Sequence, residues 1–461
     1  MRASSSPIVG PHLVRYGIAA DQHFLVGDLL ETYHQLVINA NIVALIPAGL
    51  ASFLQQRARG KPYLIDPQTH AFQHDVSGIL SSSDNNEGQI KRSVQALIDE
   101  YGEPLVTVVG KERNSVLPRD FADNKRRSDF CQQVIRFQTD RIRVQAEQSD
   151  SAKYLQFLKT KGRADDTGYG PSLVVAPYFC LTSNTLKDWL GTNLKCVEDS
   201  KPAATKAGLP LAAQIVISRD LLAGPRKQLE EMAEAYTRSG VSMFLIWVDS
   251  FPEQDASFEE LESFVSFIRA LSRGAGQIVN LYGGFLSIAL AKTGRLPGLL
   301  AVTHGLEYGE DRAVAPVGGG FPYAKFYLPA LHSRLLVREA LRAVDALGGL
   351  SSAAAFHERV CGCPECKQVI RGNPQAEFYE NYGRTYPVRG GRERPTPETK
   401  EHCVRHYMWT KQREYSNTED APSIVGDLRD AADKLERKLG REAVAHCRAW
   451  ATILSGPPGT Q

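Results

Sequence analysis

Three late runs decide the fold: MFLIWV (Met243–Val248), QIVNLY (Gln277–Tyr282) and LLAVT (Leu299–Thr303). Each is short, rich in β-branched or aromatic residues, and mostly apolar without alternation, interrupted only by Gln277, Asn280 and the terminal Thr303. Continuous hydrophobicity marks strands buried on both faces, as in a parallel sheet covered by helices. Further runs lie upstream: KPYLI (Lys61–Ile65), LVTVV (Leu105–Val109), SLVVAPYF (Ser172–Phe179) and AAQIVI (Ala212–Ile217), with IVALI (Ile42–Ile46) earlier still. Helical stretches such as Leu221–Ser239 and Phe258–Ser272 separate the later runs, which is the rhythm of βα units. Eight candidate strands within residues 1–345 predict an α/β fold, a (β/α)8 TIM barrel. A doubly wound open sheet shares this periodicity.

Composition narrows the partners. The chain of 461 residues is 43% hydrophobic and 23% charged, which excludes disordered and fibrous classes. Its 54 Lys+Arg against 52 Asp+Glu leave a net charge of +2, so nucleic acid would have to be held by local patches. No charge-free window of about 18 apolar residues exists, so no membrane-spanning helix is expected. The opening MRASSSPIVGPHLVRYG lacks the apolar core of a secretory signal. Three of the eight cysteines fall within six residues, which suggests metal rather than disulfides and a reducing, cytoplasmic setting.

Two stretches break the βα rhythm. Residues 111–163 hold 13 Lys/Arg and 7 Asp/Glu and read as a basic helical insertion into the barrel. Residues 346–461 read as a zinc-binding subdomain with a long C-terminal helix over Ser423–Leu454. Its core motif is Cys361-Gly-Cys363-Pro-Glu-Cys366. Three thiolates that close leave one tetrahedral position, for which His402, Cys403 and His406 are candidates. A closed four-ligand zinc site is structural rather than catalytic.

A C-x-C-x2-C motif followed by a His-x-x-Arg-x-Tyr helix resembles the zinc module of the tRNA-guanine transglycosylase family. The resemblance assigns His402 as the fourth ligand beside Cys361, Cys363 and Cys366. Other segments keep the family's order of parts. Asn39–Gly49 is similar to its early strand and loop. Asp66, Phe72 and Gln73 fall where the family has Asp-Ser-Gly-Gly-Phe-Gln. Ile278–Gly284 is similar to its seventh strand. The departures are as informative. The eighth strand, LLAVTHGLE (Leu299–Glu307), lacks the family's nucleophilic aspartate. Ala176-Pro177-Tyr178 replaces the aspartate after the fourth strand. The chain therefore looks like the divergent branch that inserts 7-deazaguanine bases into DNA. That resemblance implies a pentosyltransferase that exchanges guanine in DNA for a preQ0-like base, alongside partner proteins of a DNA-modification system. A tRNA-directed enzyme and a non-catalytic nucleic-acid-binding barrel are the alternatives.

Base exchange needs a carboxylate to attack C1′ of the nucleotide as guanine leaves, in the manner of retaining glycosidases. Barrel enzymes place such groups at the C-terminal ends of strands. Asp66 follows KPYLI and Asp249 follows MFLIWV, so these two are expected to flank one pocket. His304 is expected nearby as the third catalytic residue, and both His304 and Glu307 compete with Asp249 for its role. Phe72, Gln73, Tyr178, Gly283, Gly284 and Glu307 are the expected substrate contacts. Glycine at a strand end lets a flat base approach the backbone. Phosphate contacts need exposed cations, and Lys125, Arg126, Arg127, Arg389, Arg392 and Arg394 are the candidates.

Overall fold

The computed structural model describes residues 6–81, 86–148, 170–274, 276–306, 309–315, 323–388, 392–417 and 420–456. Eight parallel strands form one sheet: β1 (His12–Tyr16), β2 (Gln35–Asn39), β3 (Tyr63–Asp66), β4 (Val174–Val175), β5 (Leu211–Ile217), β6 (Met243–Val248), β7 (Gln277–Asn280) and β8 (Leu299–His304). Their order is β3-β2-β1-β8-β7-β6-β5-β4. A hydrogen bond from Ser172 N to Tyr63 O, at 2.8 Å, links the two edges, so the sheet is a nearly closed barrel ringed by helices.

The strand count agrees with the sequence, but two members differ. Ile42–Ile46 falls largely in the helix Ala40–Leu45, and β2 ends just before it. Leu105–Val109 belongs to a helical turn, where Leu105 and Val109 are buried and the residues between them are half-buried. That four-residue spacing is helical, and a short apolar run does not reveal its period by composition. The missed strands are β1 and β2. They carry His12, Arg15, Gln35 and Asn39, and these polar residues hide them from a search for apolar runs.

Alternation reappears inside the barrel. Leu13, Val37, Leu64, Val175, Leu245, Val279 and Ala301 pack together in the lumen. Two residues further along β1, β2, β3 and β6 stand Arg15, Asn39, Asp66 and Trp247. Since side chains alternate with a period of two, these share the inward face at the C-terminal end. The barrel is thus apolar at mid-height and polar at its mouth.

The basic stretch contributes the helix Asn124–Gln148, which packs against Leu186–Ala207 and Pro47–Ser52 in the outer ring. The rest of that stretch, from 149 on, lies outside the described residues. Beyond the barrel, a hairpin of Lys325–Leu328 and Ser333–Leu336 supports the helix Pro397–Ser416. The expected single helix over Ser423–Leu454 is two, Ala421–Leu439 and Arg441–Ser455, packed on each other. Gly440 makes the break at φ 94°, in the region that glycine adopts without a steric penalty. No helix among the described residues is long and apolar enough to cross a membrane.

Candidate functional site

Asp66 ends β3 and is fully buried. Arg15 of β1 reaches across the lumen to it, with Nη1 donating to Asp66 Oδ2 at 2.8 Å and to Asn39 Oδ1 at 2.6 Å. The Tyr178 hydroxyl donates to Asp66 Oδ1 at 2.5 Å, and Gln68 N donates to the same oxygen at 3.1 Å. Burial pushes the Asp66 carboxyl up, but the Arg15 guanidinium and the Tyr178 hydroxyl outweigh it and hold it below the usual carboxylate range. A carboxylate offers about four acceptor positions. Oδ1 has two filled and Oδ2 one, so Oδ2 keeps an open lone pair.

His70 extends this chain. Its Nδ1 lies 2.9 Å from the Tyr178 oxygen. Tyr178 gives its only proton to Asp66, so His70 Nδ1 must carry a proton and donate. Burial lowers the His70 pKa to about 3, so the ring is neutral. Asp66, His70, Phe72, Trp247 and Tyr282 line one cavity of about 230 Å³ at the barrel mouth, with Arg15, Lys91 and Arg312 as its cations.

The other expected site residues separate into groups. Asp249 does not share the Asp66 cavity. Its Oδ1 accepts from Val314 N at 2.8 Å and from Ser250 Oγ at 3.0 Å, so it pins the segment that walls the cavity. His304 stands on the outer face of β8, because its neighbour Thr303 takes the inward register. Its Nε2 lies 2.6 Å from Nε2 of His12, and its ring meets Tyr407 edge-on. Burial pushes its pKa down to about 3. It is therefore a neutral packing group between barrel and C-terminal module, not a member of the mouth. Gln73 braces the loop after β3, exchanging hydrogen bonds with Cys180 N and O at 2.7 and 2.8 Å.

Gly283 and Gly284 differ in kind. A Cβ on Gly283 would fall 2.5 Å from Asn280 Nδ2 and 2.6 Å from Val302, so packing explains this glycine. A Cβ on Gly284 would fall 2.8 Å from a Glu310 oxygen and 2.9 Å from a Glu253 oxygen. Glu310 forms an ion pair with the buried Lys411. Both carboxylates border a second cavity of about 690 Å³, between the barrel end and the C-terminal module, which Arg394 also lines. Glu307 and Arg389 lie outside the described residues, as does the side chain of Arg392.

Lys125 and Arg126 are exposed at the start of their helix. Arg127 is not available to phosphate. It is 5% exposed, pairs with Asp199 at 2.8 Å and donates to Phe121 O at 3.0 Å. Helical periodicity turns it inward.

Cys361, Cys363, Cys366 and His406 bring their ligand atoms within 4.8 Å of one another, all buried. His406 Nδ1 lies 3.8, 3.5 and 3.3 Å from the three sulfurs. For thiolates at 2.3 Å and an imidazole nitrogen at 2.0–2.1 Å around one ion, tetrahedral geometry requires about 3.6 Å. The group therefore fits a metal ion. His406 Nε2 lies 2.7 Å from Tyr327 O, and donating there leaves Nδ1 free to bind metal. This corrects the expected ligand. His402, one helical turn earlier, instead bonds Glu365 at 2.6 Å, and Arg405 holds the other Glu365 oxygen at 2.8 Å.

Arg15, its pairing with Asp66 and its bond to Asn39 are the features of this site that the sequence reading missed. A charged residue inside a short β-branched run, HLVRY, was the available signal. No family model matches the chain, and no curated protein matches it.

Proposed function

We propose that the protein is a base-exchange transglycosylase that replaces guanine in DNA with a 7-deazaguanine base, with Asp66 as the attacking carboxylate. One observation carries the reading. An ionised carboxylate with an open lone pair stands at a strand end, facing a small cavity walled by Phe72, Trp247 and Tyr282. At about 230 Å³ the cavity lies below the usual range for drug-sized ligands, about 300–1,000 Å³, and suits a single base with its sugar.

In this reading Asp66 Oδ2 bonds to C1′ as the C1′–N9 bond breaks and its electron pair leaves with guanine. Guanine takes up a proton from solvent as it departs, and the incoming base gives its N9 proton to solvent as its nitrogen displaces the carboxylate, so the exchange is proton-neutral overall. Arg15, Gln68 and Tyr178 keep Asp66 ionised and oriented, which a nucleophile needs. The target nucleotide must leave the duplex to reach the mouth. Lys125, Arg126 and Arg394 are the described cations assigned to phosphate. Zinc is the ion that the Cys3His donor set suits best, and there it would clamp the C-terminal module without entering the reaction.

The test is incorporation of radiolabelled 7-cyano-7-deazaguanine into plasmid DNA and, separately, into bulk tRNA. Wild type should label DNA, Asp66→Asn should label nothing, and Asp249→Asn should keep exchange because an amide oxygen still accepts from Val314 N. Labelling of tRNA alone would overturn the DNA assignment. Normal exchange by Asp66→Asn would overturn the mechanism.

A further inference from the structure

We infer that the cavity of about 690 Å³ between the barrel end and the C-terminal module is a second site, which holds one nucleotide whose base carries an amino group. Binding there is independent of the reaction assigned to Asp66.

The two walls of this cavity carry opposite charge. The barrel wall is acidic: Glu253 follows β6, and Glu310 and Asp311 follow β8. The module wall is basic. Lys325 and Arg334 come from the first hairpin after the barrel, and Arg394 from a second one, Thr385–Val388 with Arg392–Pro395. Glu310 Oε1 takes Lys411 and, at 3.2 Å, the Tyr407 hydroxyl, while Oε2 accepts from no described donor. Asp311 is half-buried and makes no hydrogen bond or ion pair with a described residue. Burial and the charge of Glu310 push its carboxyl up. A carboxylate that has lost part of its water and gained no donor is stabilised by a ligand that brings one.

The cavity also presents rings. Tyr323 and Tyr386 line it and are 66% and 42% exposed. Tyr386 lies directly opposite Arg394 in the hairpin register, so ring and guanidinium share one face. Exposed rings beside cations form a platform on which a base stacks while its phosphate is neutralised. A nucleotide with its phosphate on the basic wall and an amino-bearing edge towards the acids satisfies both walls at once. Cytosine N4, adenine N6 and guanine N2 are such donors. Thymine has no amino group, and its carbonyls would face the carboxylates. The volume falls within the range of small-molecule sites, about 300–1,000 Å³. Arg312, the residue after Asp311, lines the Asp66 cavity, so one segment separates the two cavities. A free nucleotide and the neighbour of the target in a DNA strand share this recognition chemistry.

Calorimetric titration of the full-length protein with dCMP and dTMP tests the assignment. dCMP should bind at least about tenfold tighter, the value of one hydrogen bond to a charged group. Tyr386→Ala should weaken dCMP binding at least about fivefold through the lost stack. Asp311→Asn should cut the preference for dCMP over dTMP at least about threefold. It should leave the thermal midpoint unchanged or higher, because it removes only a charge that Glu310 repels. Fluorescence anisotropy of a labelled oligothymidylate, with and without one central cytidine, distinguishes the sources. Tighter binding of the cytidine strand assigns the site to a strand nucleotide; equal binding of the two strands, alongside dCMP selectivity, assigns it to a free one. Equal affinity for dCMP and dTMP, no binding of either, or wild-type dCMP binding and selectivity in both variants overturns the inference. None of these measurements requires base exchange, so failure here leaves the proposed reaction standing, and normal exchange by Asp66→Asn leaves this site standing.

Discussion

Replacing Arg15 with methionine removes one partner of a buried ion pair and strands the other. Asp66 remains fully buried, with Tyr178 and Gln68 still donating to Oδ1 and nothing left on Oδ2. Breaking a pair this way costs about 3–5 kcal/mol, because an uncompensated charge stays in the interior. At roughly 2–4 °C per kcal/mol for a domain of the barrel's size, the thermal midpoint at pH 7 should fall by roughly 6–20 °C. The pH dependence gives the sharper signature. In the wild type the Asp66 pKa is lowered, so its stabilisation is fully present above the unfolded value, about 4, and is lost as pH falls through the folded value. In Arg15→Met burial dominates and raises the folded pKa above the unfolded one. The carboxylate then destabilises the variant at neutral pH, and protonation relieves it. The gap between the two melting curves should therefore narrow as pH falls from 7 towards 4. Asp66→Asn in the Arg15→Met background should recover much of the loss at pH 7. Differential scanning calorimetry across this range measures both effects. A gap that is independent of pH, or a loss below about 1 kcal/mol, would refute the ion-pair account.

Three further outcomes follow from the other sites. Elemental analysis should find about one zinc per chain in wild type and His402→Ala and much less in His406→Ala; the reverse pattern would restore His402 as the ligand. Lys125→Glu with Arg126→Glu should weaken DNA binding and lower the log–log salt slope by about two, because two phosphate contacts are lost. Arg127→Ala should instead lower thermal stability with the slope unchanged, and fluorescence anisotropy at several salt concentrations distinguishes these cases.

Much of the architecture was legible without coordinates. Runs such as MFLIWV, and AAQIVI apart from Gln214, are apolar on both faces because both faces of a parallel strand are covered, and they became β6 and β5. The Cys361–Cys366 motif was legible for a similar local reason: three thiols within six residues can converge on one point whatever surrounds them. Asp66 was found because a carboxylate directly after such a run falls at a strand end.

What sequence could not supply depends on which residues meet across the molecule. HLVRY and QLVIN look like poor core strands until the barrel closes and places Arg15 opposite Asp66, where the charge gains a partner. His304 and Asp249 also end strands, yet a shift of one residue in register sends His304 out of the lumen. Loop closure turns Asp249 towards a backbone amide. His402 and His406 share a helix and differ by one turn, and only the docking of that helix against Tyr327 directs His406 at the thiols. Local pattern thus determined the strands, the thiol cluster and the acid at β3. Tertiary structure decided the partners, because charge pairing, lumen-facing register and ligand direction depend on groups far apart in the chain.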